Sequence, residues 1–512
     1  MGEIASLEEM IRTHGRERPD APMADYDGDR ITYGKMDRRS NRIANAMVAE
    51  GIAAGDRIAL IDRNGLPLFE TLFAARKLGA VQIAVNWRQS TEEMAYVLAD
   101  GEARLVFTAA EFLSGLREHC AQHGLTPRFV VLDGPDEEYR TWYERFPDSD
   151  PGHQSGPDDV ALQLYTSGTT GRPKGAMLMN RSIFSFYESA ADTFGRDPAA
   201  RHLNCLPLFH VGGINWSLHA MNYGSEVIGF RDFDPVTIIN AIPAFRATHL
   251  MTVPAVIQIL LETPEVRQGD FSSLRAICYG GSIIPAHVLR DAAETFGCGL
   301  YGMYGSTELS FGNTVLWPEE HDFEKFPDLV TSCGRAFPGT RIKVVDPATL
   351  EQQPDGESGE IWVNSPQAAK GYWKRLEESA GIFRADGWFR TGDIGMLRGG
   401  YLYLTDRLND MIISGAENIY PAEVERVLNE HPAVLEAAAF AIPDPKWGET
   451  VAAAVRTEPG TSLDEAALIA FSRERLAHYK CPRKILFLDE FPRTASGKVQ
   501  RNLLKKPFWE TA

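Results

Sequence analysis

Between residues 166 and 175 the chain reads Thr166-Ser167-Gly168-Thr169-Thr170-Gly171-Arg172-Pro173-Lys174-Gly175, a run whose residue types suit the holding of a polyphosphate. Glycines let backbone N–H groups close around an anion. The hydroxyls of Thr166, Ser167, Thr169 and Thr170 add donors, and the Lys174 ammonium adds a positive charge. The order of residues excludes a Walker loop, because Arg172 and Pro173 separate Gly171 from Lys174 and no Ser or Thr follows the lysine. The apolar segment 160–165 directly ahead reads as a short strand, so the run is a strand-to-turn cradle and not a loose surface turn. Zinc chemistry has no residues to work with. Cys120, Cys205, Cys278, Cys298, Cys333 and Cys481 are scattered without a Cys-x-x-Cys pair or nearby His ligand spacing, and read as small buried side chains in a reducing cytosol.

Four further segments follow in order. They are Tyr304-Gly305-Ser306-Thr307-Glu308, Trp388-Phe389-Arg390-Thr391-Gly392-Asp393, Asp406-Arg407, and 492–498 with its Gly497-Lys498. With the 166–175 run they resemble the signature motifs of the adenylate-forming superfamily of acyl-CoA synthetases, adenylation domains and luciferases, over nearly the whole chain. The resemblance implies ATP-dependent activation of a carboxylic acid to an acyl-adenylate with release of pyrophosphate, then transfer to coenzyme A. Attack of a carboxylate on the α-phosphate joins two anions, so such a site must supply positive charge and a metal. By resemblance Lys498 and Mg²⁺ supply them, Glu308 ligates the Mg²⁺, and Thr307 hydrogen-bonds the α-phosphate. Tyr304 offers a face to adenine, Gly280, Gly281 and Gly305 count with the ATP site, and Asp393 with Arg407 meets the ribose.

Phe209-His210-Val211-Gly212-Gly213 resembles the segment that begins the carboxylate pocket. His210 is read as a pocket gate and not a base, with Gly212 and Gly213 beside it. Trp216, Tyr279 and Met303 complete an aromatic-rich apolar lining that suits an aryl or arylalkenoic acid, or a medium-chain fatty acid. On the thiol side, 412–418 resembles the stretch along the pantetheine arm, with Gly415 in place but Ala416 where the family usually shows a second glycine. Asn409 stands at the hinge, where Asp or Lys is usual, and Cys481 stands where some relatives carry a basic residue, while Trp447 and Tyr479 match the thiol-side lining. All three departures bear on the acceptor and none on adenylation. The acceptors left beside coenzyme A are a carrier-protein thiol, an amine, and nitrite as in diazotase-like relatives. The joint presence of Lys174, Thr307, Glu308, Asp393 and Lys498 argues against a catalytically idle binding protein on the same fold.

These residues need elements to position them. Helical spacing over 38–50 and 68–78 alternates with apolar strands over 57–62 and 81–85, which predicts a parallel α/β arrangement. Strands at 276–278, 299–303 and 342–345 continue it, and 359–364 with 401–404 marks a more β-rich region. Past Arg407 the pattern changes to a helix over 421–430, a buried strand over 434–441 and an amphipathic helix over 463–476. The expectation is a large α/β N-terminal domain with parallel sheets and a β-rich subdomain over 1–408, and a small mobile α+β domain over 409–512 that carries Lys498. The length of 512 residues gives ample core, and 70 acidic against 52 basic residues, a net charge of −18, disfavours nucleic acid as a partner. The acidic segment 1–10 does not read as a leader, and no apolar run approaches the roughly 20 residues that span a bilayer. A cytoplasmic protein is expected, and a homodimer is compatible with the composition.

Overall fold

Apolar runs in this chain become strands covered on both faces. Val81–Ala84 and Ala276–Gly280 are buried at every position, the mark of parallel strands with helices above and below. A computed structural model describes residues 4–510 except 135–137, 167–171, 283, 408–409, 411, 415–416, 420, 445–447, 459, 462, 477 and 494–498. At 192, 405–407, 413, 417–418 and 448 only the backbone is described. Two units make up the chain: Met1–Arg341 with Asn364–Phe389, and Ile342–Val363 with Arg390–Ala512.

The first unit holds two large sheets. In the smaller the order is Arg128–Val131, Ala103–Thr108, Arg57–Ile61, Val81–Ala84, Val160–Thr166 and Lys174–Met179. All neighbours run parallel except the last pair, which is antiparallel. In the larger, His249–Thr252, Ala276–Gly280 and Gly299–Ser306 run parallel, and Phe311–Leu316 then returns antiparallel. Leu250, Ile277, Leu300, Val288 and Leu289 share one buried cluster that ties these strands to the helix Ala286–Phe296. The predicted helix at 38–50 begins earlier, as Tyr33–Ala49, because the Thr32 hydroxyl accepts from Lys35 N at 3.3 Å and caps it.

The second unit pairs Arg341–Val345, Ser358–Asn364, Phe389–Arg398 and Tyr401–Arg407 in one sheet. A second sheet is built on the long hairpin Val434–Asp444 with Gly448–Thr457. Small side chains at Ala438, Ala439, Ala452, Ala453 and Ala454 keep that hairpin thin, and Val424, Val427, Leu428 and Leu468 from the helices Pro421–Asn429 and Glu465–Arg473 fill one face. Asp464 caps the latter helix by accepting from Ala467 N at 2.7 Å, which fixes its start inside the predicted 463–476 span. Among the described residues no helix is long and apolar enough to cross a membrane.

Candidate active site

The phosphate-loop candidate begins and ends on two paired strands. Val160–Thr166 and Lys174–Met179 pair antiparallel with Thr166 opposite Lys174, so the first hydroxyl of the run and its lysine stand across one ladder. Ser167, Gly168, Thr169, Thr170 and Gly171 lie outside the described residues. Lys174 opens the second strand and is buried, and its Nζ lies 2.6 Å from Glu378 Oε2 and 5.6 Å from the centre of the Tyr372 ring.

Beside it stands Glu308, in the single 3-10 turn Thr307–Leu309 that follows the strand Gly299–Ser306. Two hydroxyls donate to the same carboxylate oxygen, Thr166 Oγ1 at 3.2 Å and Tyr372 Oη at 2.9 Å from Glu308 Oε1. Burial, then the Glu308 charge, holds the Tyr372 phenol far above its ordinary range, so it remains a donor. The turn is made possible by Gly305. A Cβ there would lie 1.7 Å from the Phe311 carbonyl oxygen, while Ser310 and Phe311 take positive φ angles of 58° and 154° to bring the chain back. A carboxylate with one oxygen fixed by two neutral donors is a hard anionic ligand. It fits an ion such as Mg²⁺, which is held by one or two carboxylates together with phosphate oxygens and water. Among the described residues no cluster of three or more His, Cys, Asp or Glu could hold a metal ion.

What brings Tyr372 here is backbone docking. The segment 369–373 lies along the strand Lys174–Met179: Lys370 N donates to Met177 O, Met177 N to Gly371 O, Trp373 N to Gly175 O, and Ala369 N to Glu308 O, at 2.8–3.0 Å. Arg375 Nη2 then donates to Asp100 Oδ1 at 2.6 Å and leads into the short helix Leu376–Ile382 that carries Glu378.

His210 stands at the N-cap position of the helix Val211–Asn222 without a side-chain hydrogen bond to its first turn, which holds Gly212 and Gly213. Gly213 packs against backbone, since a Cβ there would lie 2.2 Å from Pro207 O, and at Gly212 a Cβ would meet Phe311 at 3.8 Å. Asn215 Nδ2 donates to Ser310 O and Asn204 Nδ2 to Gly213 O, which fixes this helix start to the turn after Glu308. Gly280 lies opposite Met303 and Tyr279 opposite Gly302 in the parallel pair, and a Cβ on Gly280 would sit 2.5 Å from Met303 O. Gly281, at φ +87°, ends that strand, and Tyr304 is buried at 7% exposure. Two of the predicted lining residues sit in the interior. Trp216 is fully buried among Phe194, His202 and His219, and Tyr279 bonds to His321 Nε2 at 2.7 Å. Helix 211–222 packs Trp216 onto the sheet, a periodicity that a single aromatic in sequence does not reveal.

In the second unit Asp393 and Arg407 are direct partners across the antiparallel pair Phe389–Arg398 and Tyr401–Arg407. Gly392, at φ +70°, and the Thr391 hydroxyl, which accepts from Asp393 N at 3.0 Å and donates to Ile361 O at 2.7 Å, set the Asp393 backbone. Lys498 and Asn409 lie outside the described residues, but their flanks are clear. Arg493 and Val499, on either side of 494–498, form an antiparallel bridge, and Arg501 just beyond binds Asp410 at 3.3 Å and Glu425 at 2.7 Å. Of the thiol-side residues, Gly415, Ala416 and Trp447 also lie outside the described residues; Tyr479 is 39% exposed, and Lys480 beside it pairs with Glu423 at 2.7 Å. Cys481 is buried. Sequence reasoning missed Tyr372 and Glu378. The only local signal is the aromatic pair after Gly371, and nothing in it points to residue 308 or 174.

Comparison with known proteins identifies the family. The AMP-binding enzyme family matches residues 11–373, and the AMP-binding enzyme C-terminal domain matches residues 423–498. The chain is 35% identical over 513 residues to a fatty acid–[acyl-carrier-protein] ligase, ScoC, of Streptomyces coeruleorubidus, covering 99% of this chain and 97% of that protein. It is 36% identical over 495 residues to a feruloyl-CoA synthase of an Amycolatopsis species, covering 96% of this chain and 97% of the relative. ATP-bound MatB from Rhodopseudomonas palustris superposes with a TM-score of 0.89 at 30% identity, over 98% of this chain and 99% of that one. The chain therefore belongs to the AMP-binding enzyme family, in its adenylate-forming acyl-CoA synthetase branch.

Proposed function

We propose that this protein activates a carboxylic acid with ATP to an acyl-adenylate, releasing pyrophosphate, and passes the acyl group to coenzyme A. The observation that carries the reading is Glu308, held by Tyr372 and by Thr166 at the end of a strand whose antiparallel partner begins with Lys174. In this reading Lys174 and the loop 167–171 bind the β- and γ-phosphates, Thr307 the α-phosphate, and Tyr304 with Gly280, Gly281 and Gly305 the adenine. Glu308 would hold Mg²⁺, which when bound with the nucleotide neutralises charge building on the phosphates. Asp393 accepts from the ribose hydroxyls with Arg407 at its side, and Lys498 bridges the attacking carboxylate and the α-phosphate. The small domain 409–512 then turns about Asn409 to present Gly415, Ala416, Trp447 and Tyr479 to the thiol.

For the acid we infer an arylalkenoic or fatty acid, supported by the feruloyl and fatty-acid relatives and by the His210–Gly213 helix start as the mouth of the pocket. A carrier-protein thiol is the second reading for the acceptor. It is favoured by the carrier-protein ligase relative, together with Ala416 where a pantetheine channel more often has glycine. Six cysteines without a disulfide support a reducing cytoplasm as the site of action. The deciding experiment is a panel of acids assayed for pyrophosphate release with and without coenzyme A, with products read by mass spectrometry. Acid-dependent release with thioester formed on coenzyme A supports the first reading. Adenylate without thioester for every activated acid moves the carrier protein ahead, and no acid-dependent release from any acid contradicts both.

A further inference from the structure

Lys174 is paired with a carboxylate. Its side chain is 9% exposed, and its ammonium sits 2.6 Å from a carboxylate oxygen of Glu378, whose side chain is 41% exposed and reaches in from the helix Leu376–Ile382. The ammonium also lies 5.6 Å from the centre of the Tyr372 ring, the same ring whose hydroxyl holds Glu308. Among the described residues, other charges nearby are engaged elsewhere or exposed. Arg375 is bound to Asp100 at 2.6 Å, Arg172 lies over the Tyr96 ring at 5.3 Å, and Glu377 points into solvent. Together Arg172, Lys174, Arg375 and Glu378 line a surface depression with Tyr96 and Asp100.

A buried ammonium is held in place only by a counter-charge, and removing that charge leaves it strongly disposed to find another. A triphosphate oxygen and the Glu378 carboxylate are both anions, so each repels the other from the one ammonium. We propose that Glu378 is a latch on Lys174: it holds the ammonium in the nucleotide-free protein, yields it to the phosphates of ATP, and takes it back as pyrophosphate leaves. Glu378 is thereby a positioning residue that weakens ATP binding and hastens release of pyrophosphate. The inference rests on the reading of Lys174 as a phosphate ligand.

The test is calorimetric binding of ATP and of pyrophosphate to the full-length protein without acid, for wild type, Glu378→Gln, Glu377→Gln, Lys174→Met and the Lys174→Met/Glu378→Gln double variant. With a half-exposed ion pair removed, Glu378→Gln should bind ATP and pyrophosphate about fivefold more tightly. Glu377→Gln, which makes the same change in net charge one residue away, should stay near wild type, and the double variant should gain nothing over Lys174→Met. In turnover, Glu378→Gln should lower KM for ATP while kcat stays level or falls, a split that a merely structural role would not give. Unchanged or weaker binding in Glu378→Gln, with Lys174→Met clearly weakened, overturns the latch and leaves the phosphate role of Lys174 intact. Equal tightening by Glu377→Gln reduces the effect to general charge and also overturns it. Nucleotide binding unaffected by Lys174→Met overturns the phosphate role and the latch with it.

Discussion

Tyr372→Phe isolates the hydroxyl that orients Glu308. The substitution keeps the ring, which packs against Phe383 with centroids 5.7 Å apart and lies near Lys174, and deletes only the donor 2.9 Å from Glu308 Oε1. A hydrogen bond to a charged group is worth about 1.5–3 kcal/mol, and Thr166, at 3.2 Å, is the other donor described on that oxygen. If the carboxylate must be fixed to receive a metal-bound nucleotide, kcat/KM for adenylation should fall about tenfold to a hundredfold, since about 1.4 kcal/mol is one decade. The Mg²⁺ concentration for half-maximal rate should rise as well. Stability should fall by about 1 kcal/mol at most, because the half-buried carboxylate regains water when the donor goes. Pyrophosphate release measured across a Mg²⁺ titration, with thermal unfolding of the same samples, separates the two effects. An unchanged rate and unchanged Mg²⁺ dependence in a well-folded variant would refute the idea that Tyr372 orients a metal-binding Glu308.

Other perturbations have defined outcomes. Gly213→Ala pushes a methyl to within 2.2 Å of Pro207 O, an overpacking cost of about 1–3 kcal/mol at the helix start; KM for the acid should rise more than KM for ATP, and equal values would remove that turn from the acid pocket. His202, His219 and His249 form a buried cluster in which desolvation holds each imidazole low, His219 to about 3 and His249 to about 4, so all are neutral when folded. Because the unfolded chain takes up these protons near pH 6.5, stability should be level above that pH and fall below it. The loss at pH 5 should be about 2 kcal/mol each for His219 and His249, read from chemical unfolding midpoints, and His219→Gln should flatten the slope. Lys498→Ala should lose adenylation from acid and ATP yet still consume a supplied acyl-adenylate with coenzyme A; undiminished pyrophosphate release would end the assignment of that lysine.

Local patterns were readable where one segment carries its own reason. The run 166–175 identifies itself by composition, and the strands at 81–85, 276–278 and 434–441 by short, mostly apolar stretches, with Gln82 and Glu436 as the polar exceptions. What sequence could not supply are contacts made at a distance. Tyr372 reaches Glu308 across 64 positions through a backbone ladder at 369–373 that leaves no side-chain pattern. Glu378 finds Lys174 by the same route. Trp216 reads in sequence as part of an aromatic-rich apolar lining, yet the turn of its helix packs it against His202 and His219. The grouping of residues 342–363 with the C-terminal unit arises because their strand Ser358–Asn364 shares a sheet with Phe389–Arg398 and Tyr401–Arg407, a pairing invisible to a boundary placed at 408 by a change in local pattern.

Formation of an enzyme-held acyl-adenylate before any thiol is involved is tested most directly by exchange of labelled pyrophosphate into ATP. Wild-type protein incubated with ATP, Mg²⁺, labelled pyrophosphate and an acid it activates, without coenzyme A, should return label to ATP, with no exchange when the acid is omitted. Exchange that requires coenzyme A, or that proceeds equally without acid, would contradict adenylation as the first step.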